Sequence, residues 1–190
     1  MRVIAGLFRS RQLKSLKGLT LRPTSDMLRE TLFNVLGPRV DGSRFLDLFA
    51  GTGAIGIEAV SRGATFVAFV EHHSKTVRLI RENLASLEIS EGVRLIPSDA
   101  LTSIATLEKE SAPPFDFIFL DPPYANQSEY KETLRVIDQS KLVHDSTLII
   151  AEHHKSFELP ASLTRFERSR ILRQGDAALS FYRRSTPAPS

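Results

Sequence analysis

Three features of this 190-residue sequence predict an α/β protein on a doubly wound, mostly parallel sheet of seven strands. Apolar runs of strand length alternate with helical patterns from residue 44 to residue 152. A glycine-rich turn follows the first run and opens a helix. The last segment, TRFERSRILRQGDAALSFYRR, reads as two strands reversed at Gly175-Asp176, which predicts an antiparallel C-terminal edge strand.

At the front, RVIAG and RQLKSL alternate about a polar break, predicting a small basic hairpin over residues 1–22. Pro23 and Thr24 open a helical pattern in which Leu28, Leu32, Phe33, Val35 and Leu36 share a face, stopped by Gly37-Pro38. Strands are expected over 44–49, 65–71, 93–98, 115–120 and 146–152. Helices are expected over 53–63, 74–88, 100–110 and 129–139. Near-continuous apolar strands alternating with helices indicate a sheet covered on both faces. The main domain spans 23–184, and the tail STPAPS at 185–190 reads as disordered.

Composition narrows the classes. There is no cysteine, which excludes disulfides and thiolate metal sites. The adjacent pairs His72-His73 and His153-His154 are expected to diverge and to be structural, so no metal is expected. No apolar run approaches the roughly 18 residues of a membrane helix, and the first residues lack a signal-peptide core. A soluble, cytoplasmic chain with no membrane partner is expected, and a monomer.

Charge is uneven. Residues 1–25 hold six Lys/Arg and no acid, residues 26–164 hold 13 bases and 20 acids, and residues 165–190 hold six bases and two acids. Basic ends around an acidic middle suit a long polyanion such as RNA, or simply a solvated surface.

Ligands of doubly wound sheets bind beyond the carboxyl ends of the strands. After the first strand, DLFAGTGAIG places Gly51, Gly53 and Gly56 in a G-x-G-x-x-G pattern, with Glu71 at the end of the next strand. A carboxylate there can accept two hydrogen bonds from a ribose diol. Asp47, four residues before Gly51, would repel a pyrophosphate laid over the loop. It suits the ammonium and sulfonium of S-adenosylmethionine, although a turn-capping acid is the plainer reading. Asp99, after the third strand, is equally an adenine acceptor or a helix N-cap.

The fourth strand ends in FLDPPY. Pro122 pushes Asp121 towards extended backbone, and neither Pro122 nor Pro123 donates a hydrogen bond. The loop therefore offers acceptors, the Asp121 carboxylate and the Pro122 carbonyl, matching the two N–H groups of a planar amine. Such acceptors raise electron density on an exocyclic nitrogen and stabilise the charge that develops as a methyl arrives. Tyr124 offers a face for a base drawn from its stack.

DLFAGTGAIG, Glu71 and DPPY resemble the Rossmann-like S-adenosylmethionine-dependent amino-methyltransferases. With RVIAGLFRSRQL and LRPTSDMLRETLFNVL ahead of them, the chain resembles the bacterial RsmD family, whose members methylate N2 of a guanine in small-subunit (16S) ribosomal RNA. The resemblance implies that Asp47, Phe49, Gly51 and Gly53 line the methionine end of the donor. It implies that Glu71 holds the ribose and that Asp99 and Ala100 lie by the adenine. Asp121, Pro122, Pro123 and Tyr124 would form the catalytic loop, with Arg22 and Thr24 near both pockets. Arg9, Arg11 and Lys14 would grip RNA phosphates. The implied partner is ribosomal RNA, within the small subunit or an assembly intermediate.

Three other readings are open. A DNA adenine-N6 methyltransferase would use the same loop chemistry, but 190 residues hold no evident duplex-reading domain. A nicotinamide-dependent oxidoreductase is opposed by Asp47 and by the lack of a Tyr-x-x-x-Lys pair. A non-catalytic RNA-binding module leaves the glycine loop and DPPY without purpose.

Overall fold

The computed structural model describes residues 1–15, 25–123 and 127–185. Strands β1 (Arg44–Asp47), β2 (Phe66–Val70), β3 (Val93–Ile96), β4 (Phe115–Leu120), β5 (Val143–His154), β6 (Phe166–Gln174) and β7 (Ala177–Arg184) form one sheet. Its order is β3-β2-β1-β4-β5-β7-β6. β1 to β5 run parallel, and β7 runs antiparallel to β5 and β6. The C-terminal strand was expected at the edge, whereas β7 is inserted between β5 and β6. Burial explains the placement: Ala177 to Tyr182 are all buried, while β6 carries mostly exposed and half-buried residues and suits an edge.

Helices α1 (Asp26–Leu36), α2 (Ala54–Ser61) and α3 (Ser74–Ser86) pack on one face with Phe45, Phe69, Phe119, Ile150 and Leu179. Helices α4 (Ala100–Lys109) and α5 (Gln127–Gln139) cover the other, with Leu46, Ile118, Leu120, Ile149 and Tyr182. Ser25 caps α1, its hydroxyl accepting from the Leu28 N–H at 3.1 Å. Among the described residues no helix is long and apolar enough to cross a membrane.

Residues 1–15 of the expected hairpin carry an antiparallel bridge, Arg2 to Gln12, with the Val3 N–H donating to the Arg11 carbonyl and the Leu13 N–H to the Met1 carbonyl, each at 3.0 Å; residues 16–22 lie outside the described residues. The Ile4 and Ala5 N–H groups donate to the buried Glu58 carboxylate at 2.8 and 3.0 Å, and the Phe8 N–H donates to Ser61 Oγ at 2.9 Å. The fully buried Arg29 on α1 donates to the Arg2 carbonyl and to Asp26 Oδ1 (3.0 Å), and lies 3.9 Å from Glu58. The segment is thus clamped onto α1 and α2.

The strand order reverses between β1 and β4, the topological switch point at which such sheets bind ligands. The glycine loop sits there. Gly53 caps α2 with φ of 79°, a conformation costly for a residue with a Cβ. A Cβ on Gly56 would fall 2.2 Å from the Phe69 ring, so glycine is what lets α2 lie against β2.

Candidate active site

Strand register brings the acids together. Asp47 on β1 is the Cα partner of Phe119 on β4, and Phe119 pairs with Ile150 on β5. Side chains alternate along a strand, so Asp121 and Glu152, each two residues further on, point to the same face as Asp47. Glu152 pairs with Leu179, which belongs to the core of that face.

Asp47 is 1% exposed. Its Oδ2 accepts from the Gly56 N–H at 3.3 Å, and its buried Oδ1 has no partner among the described residues. Burial pushes its carboxyl up to about 7; the N–H groups of Gly56 and Phe49 oppose this and the charge of Glu71 adds to it. Glu71 braces the loop itself: Oε2 accepts from the Gly51 N–H at 2.9 Å and Oε1 from the His73 N–H at 2.7 Å. Both oxygens retain lone-pair capacity for a diol. Half-buried Phe49 and the buried Ala50 continue the strand into the loop.

Asp99 N-caps α4, its Oδ1 accepting from the Thr102 N–H at 2.9 Å. That donation holds its carboxyl below the usual carboxylate range. Of the two readings of this acid, the cap is realised, and its second oxygen has further accepting capacity. Ala100 beside it is buried.

Asp121 is half-buried, Pro122 buried and Pro123 exposed. Burial, then the charges of Glu152 and Asp47, hold the Asp121 carboxyl well above its ordinary value. The Pro122 carbonyl, expected to be an open acceptor, lies 2.9 Å from the Tyr130 hydroxyl, so part of its capacity is already used. Tyr124, Arg22 and Thr24 lie outside the described residues.

Of the basic residues expected on RNA, Arg9 is exposed. Arg11 donates to the Ser86 carbonyl at 2.9 Å, and Lys14 pairs with Glu82 at 3.0 Å, so two of the three are partly held by α3. The expectation that His72 and His73 diverge is corrected: their ring centroids lie 3.8 Å apart. His153 is buried against Ser180 Oγ at 2.8 Å, and burial lowers its pKa.

Sequence reasoning passed over three residues. Glu152 stands at the end of a predicted strand, and Glu58 and Asn83 lie within predicted helices. Asn83 bonds both the N–H (2.8 Å) and carbonyl (3.2 Å) of Lys14 and also donates to the Thr52 carbonyl (3.0 Å). It ties the N-terminal segment to the glycine loop. The signal for Glu58 and Asn83 is a polar residue on an otherwise apolar helix face.

Four carboxylates, Asp47, Glu71, Asp121 and Glu152, therefore cluster at the carboxyl ends of β1, β2, β4 and β5. The orphaned buried oxygen of Asp47 fits a cationic ligand and opposes a pyrophosphate.

This strand order, with a glycine loop and acids at the switch point, defines the class: a Rossmann-like methyltransferase fold. Residues 1–183 match the family described as Conserved hypothetical protein 95, and the chain belongs to that family, as its RsmD-like motifs led us to expect. It is 32% identical over 190 residues to "Ribosomal RNA small subunit methyltransferase D" of Escherichia coli (strain K12), covering 100% of this chain and 93% of that one. It is 37% identical over 157 residues to the protein of the same description from Haemophilus influenzae, covering 82% and 79%. The solved structure of yhhF from Escherichia coli superposes with a TM-score of 0.83 at 32% identity, covering 97% of each chain.

Proposed function

We propose that the protein transfers a methyl group from S-adenosylmethionine to the exocyclic N2 amine of a guanine in small-subunit (16S) ribosomal RNA. The observation that carries this reading is the register that sets Asp121 at the strand ends beside Asp47, whose Oδ1 lies buried without a partner among the described residues. The printed names of the Escherichia coli and Haemophilus influenzae relatives support ribosomal RNA as the substrate. The loop chemistry alone would also serve adenine.

In this reading Asp47 and the glycine loop hold the methionine end of the donor. Glu71 holds the ribose, and Asp99 with Ala100 borders the adenine. The donor supplies an electrophilic methyl on a cationic sulfur. Asp121 accepts from one amine N–H and the Pro122 carbonyl from the other. The nitrogen lone pair forms the N–C bond while the C–S bond breaks, its electrons remaining on sulfur. Asp121 then receives the surplus proton. Tyr124 supports the flipped base, while Arg9, Arg11, Lys14, Arg22 and Thr24 meet the RNA.

The test is a deletion strain. Its small-subunit RNA should lack a methyl on one guanine N2, and purified protein with the donor should restore it. Methylation of adenine or of DNA instead, or of nothing, contradicts the proposal.

A further inference from the structure

The catalytic reading uses the carboxyl ends of the parallel strands; the opposite end of the sheet carries a cleft of its own. Arg39, Asp145, Ser146, Thr147, Arg183 and Arg184 line a volume of about 300 Å³. The cleft lies between the residues just beyond α1, the start of β5 and the end of β7. Asp145 stands seven residues before Glu152 on β5. At about 3.3 Å per residue, roughly 23 Å of strand separates the cleft from the acid cluster.

Its arginines are partly fixed and partly free. Arg39 Nε donates to the Leu36 carbonyl at 3.2 Å and Nη2 to the Val35 carbonyl at 3.4 Å, and the guanidinium lies 5.8 Å from the centre of the Phe117 ring. The side chain is thus positioned while further N–H groups remain for a ligand. Arg183 is exposed and follows the buried Phe181 by two residues, so both project to the α1 face of the sheet. Arg170 on β6 is the cross-strand partner of Phe181, is exposed, and extends that face towards the sheet edge. Arg184 lies 3.6 Å from Asp145, whose side chain is 89% exposed, and an exposed pair of this kind holds its members weakly. The acids on this face are Asp145 and Glu167, the latter opposite Arg183, so four arginines meet two carboxylates. Charge on an open strand deters edge pairing, which accounts for Arg170. It does not account for Arg39 and Arg183, which line the cleft.

We infer that this face is a further RNA-binding surface, in which Arg39 and Arg183 seat a backbone phosphate in the cleft and Arg170 meets the backbone beyond it. Guanidinium forks match phosphate oxygens two at a time. The carboxylates at the other end of the sheet repel a polyanion, so arginines elsewhere must hold it. Contacts of this kind supply affinity and register and leave the choice of base to the catalytic end. The inference rests on the ribosomal RNA part of the reading above.

The test is the salt dependence of binding to 16S RNA transcribed in vitro, measured by filter binding. Each phosphate contact contributes about 0.7–0.9 to the slope of log affinity against log salt. Arg170→Gln/Arg183→Gln removes two exposed side chains and should lower the slope by about 1.4–1.8. Arg39→Gln should lower it by about half as much; if that change unsettles the end of α1, the Arg170 and Arg183 variant still decides. Lys131→Gln/Arg135→Gln takes the same charge from α5 on the opposite face and should leave the slope unchanged. An unaltered slope in the Arg170 and Arg183 variant, or an equal fall in the α5 control, overturns the inference. The expected slopes in a protein that methylates no guanine would sink the methyl-transfer reading alone. Full methyl transfer with unaltered slopes would sink this surface alone.

Discussion

The Tyr130 hydroxyl stands 2.9 Å from the Pro122 carbonyl and 2.9 Å from the Glu152 carbonyl, so one side chain on α5 latches the ends of β4 and β5. It has a single proton and serves one carbonyl at a time. Removing it takes away the one buried donor that the two carbonyls share. Tyr130→Phe should cost about 1–2 kcal/mol in urea denaturation. It should also slow methyl transfer roughly tenfold, a 1.4 kcal/mol effect on the barrier, with donor affinity little changed. An unaltered rate would mean that the latch does not set the loop.

Asp47 gives a pH dependence with a defined sign. Its folded value, about 7, is raised above the roughly 3.9 of an unfolded aspartate. A raised carboxyl contributes stability that is present below the unfolded value and lost as pH rises through the folded one. Wild type should therefore lose stability relative to Asp47→Asn between about pH 4 and pH 7, by up to about 4 kcal/mol. Denaturation midpoints of both proteins at pH 5 and pH 8 check this, and a pH-independent difference contradicts it. Binding a cationic donor should ionise Asp47. Calorimetry with S-adenosylhomocysteine, whose ammonium remains, in buffers of different ionisation enthalpy should detect proton release near pH 6.5.

Glu58 holds the N-terminal segment. Glu58→Ala removes one of the two acids beside the buried Arg29 and frees the Ile4 and Ala5 amides. Loss of one partner of a buried pair costs about 3–5 kcal/mol. Limited trypsin digestion should then cleave rapidly at Arg9 or Arg11, sites that stay protected in the wild type. Equal digestion rates would count against the clamp.

Gly56→Ala tests the contact between α2 and β2. The new methyl would meet the Phe69 ring at 2.2 Å, and overpacking of this kind costs about 1–3 kcal/mol. Thermal unfolding should show the loss, and adding Phe69→Leu should recover part of it. No recovery would place the cost elsewhere.

Much of the fold was legible because buried parallel strands write themselves as apolar runs. Phe115–Leu120 was delimited to the residue, and the turn at Gly175-Asp176 fell where expected. Where β7 inserts was not legible, since strand order depends on long-range packing rather than on local pattern. Glu58, 54 residues away from Ile4, accepts from that residue's N–H, a long-range contact that no local pattern announces. In the candidate site, Asp47, Glu71 and Asp121 were readable from their spacing after strands. Glu152 was not, because its place near Asp121 comes from register with β4, and no motif in its own segment announces it. Asp99 shows the limit of spacing: a cap and a ligand acceptor occupy the same position and use the same carboxylate.

The most direct measurement is labelled methyl transfer by Asp121→Ala, alongside S-adenosylhomocysteine binding by the same protein. The account predicts that transfer to small-subunit RNA falls by at least about a hundredfold, while the affinity for S-adenosylhomocysteine stays within a few-fold of wild type. Transfer at the wild-type rate would contradict the central claim that the Asp121 carboxylate acts on the amine.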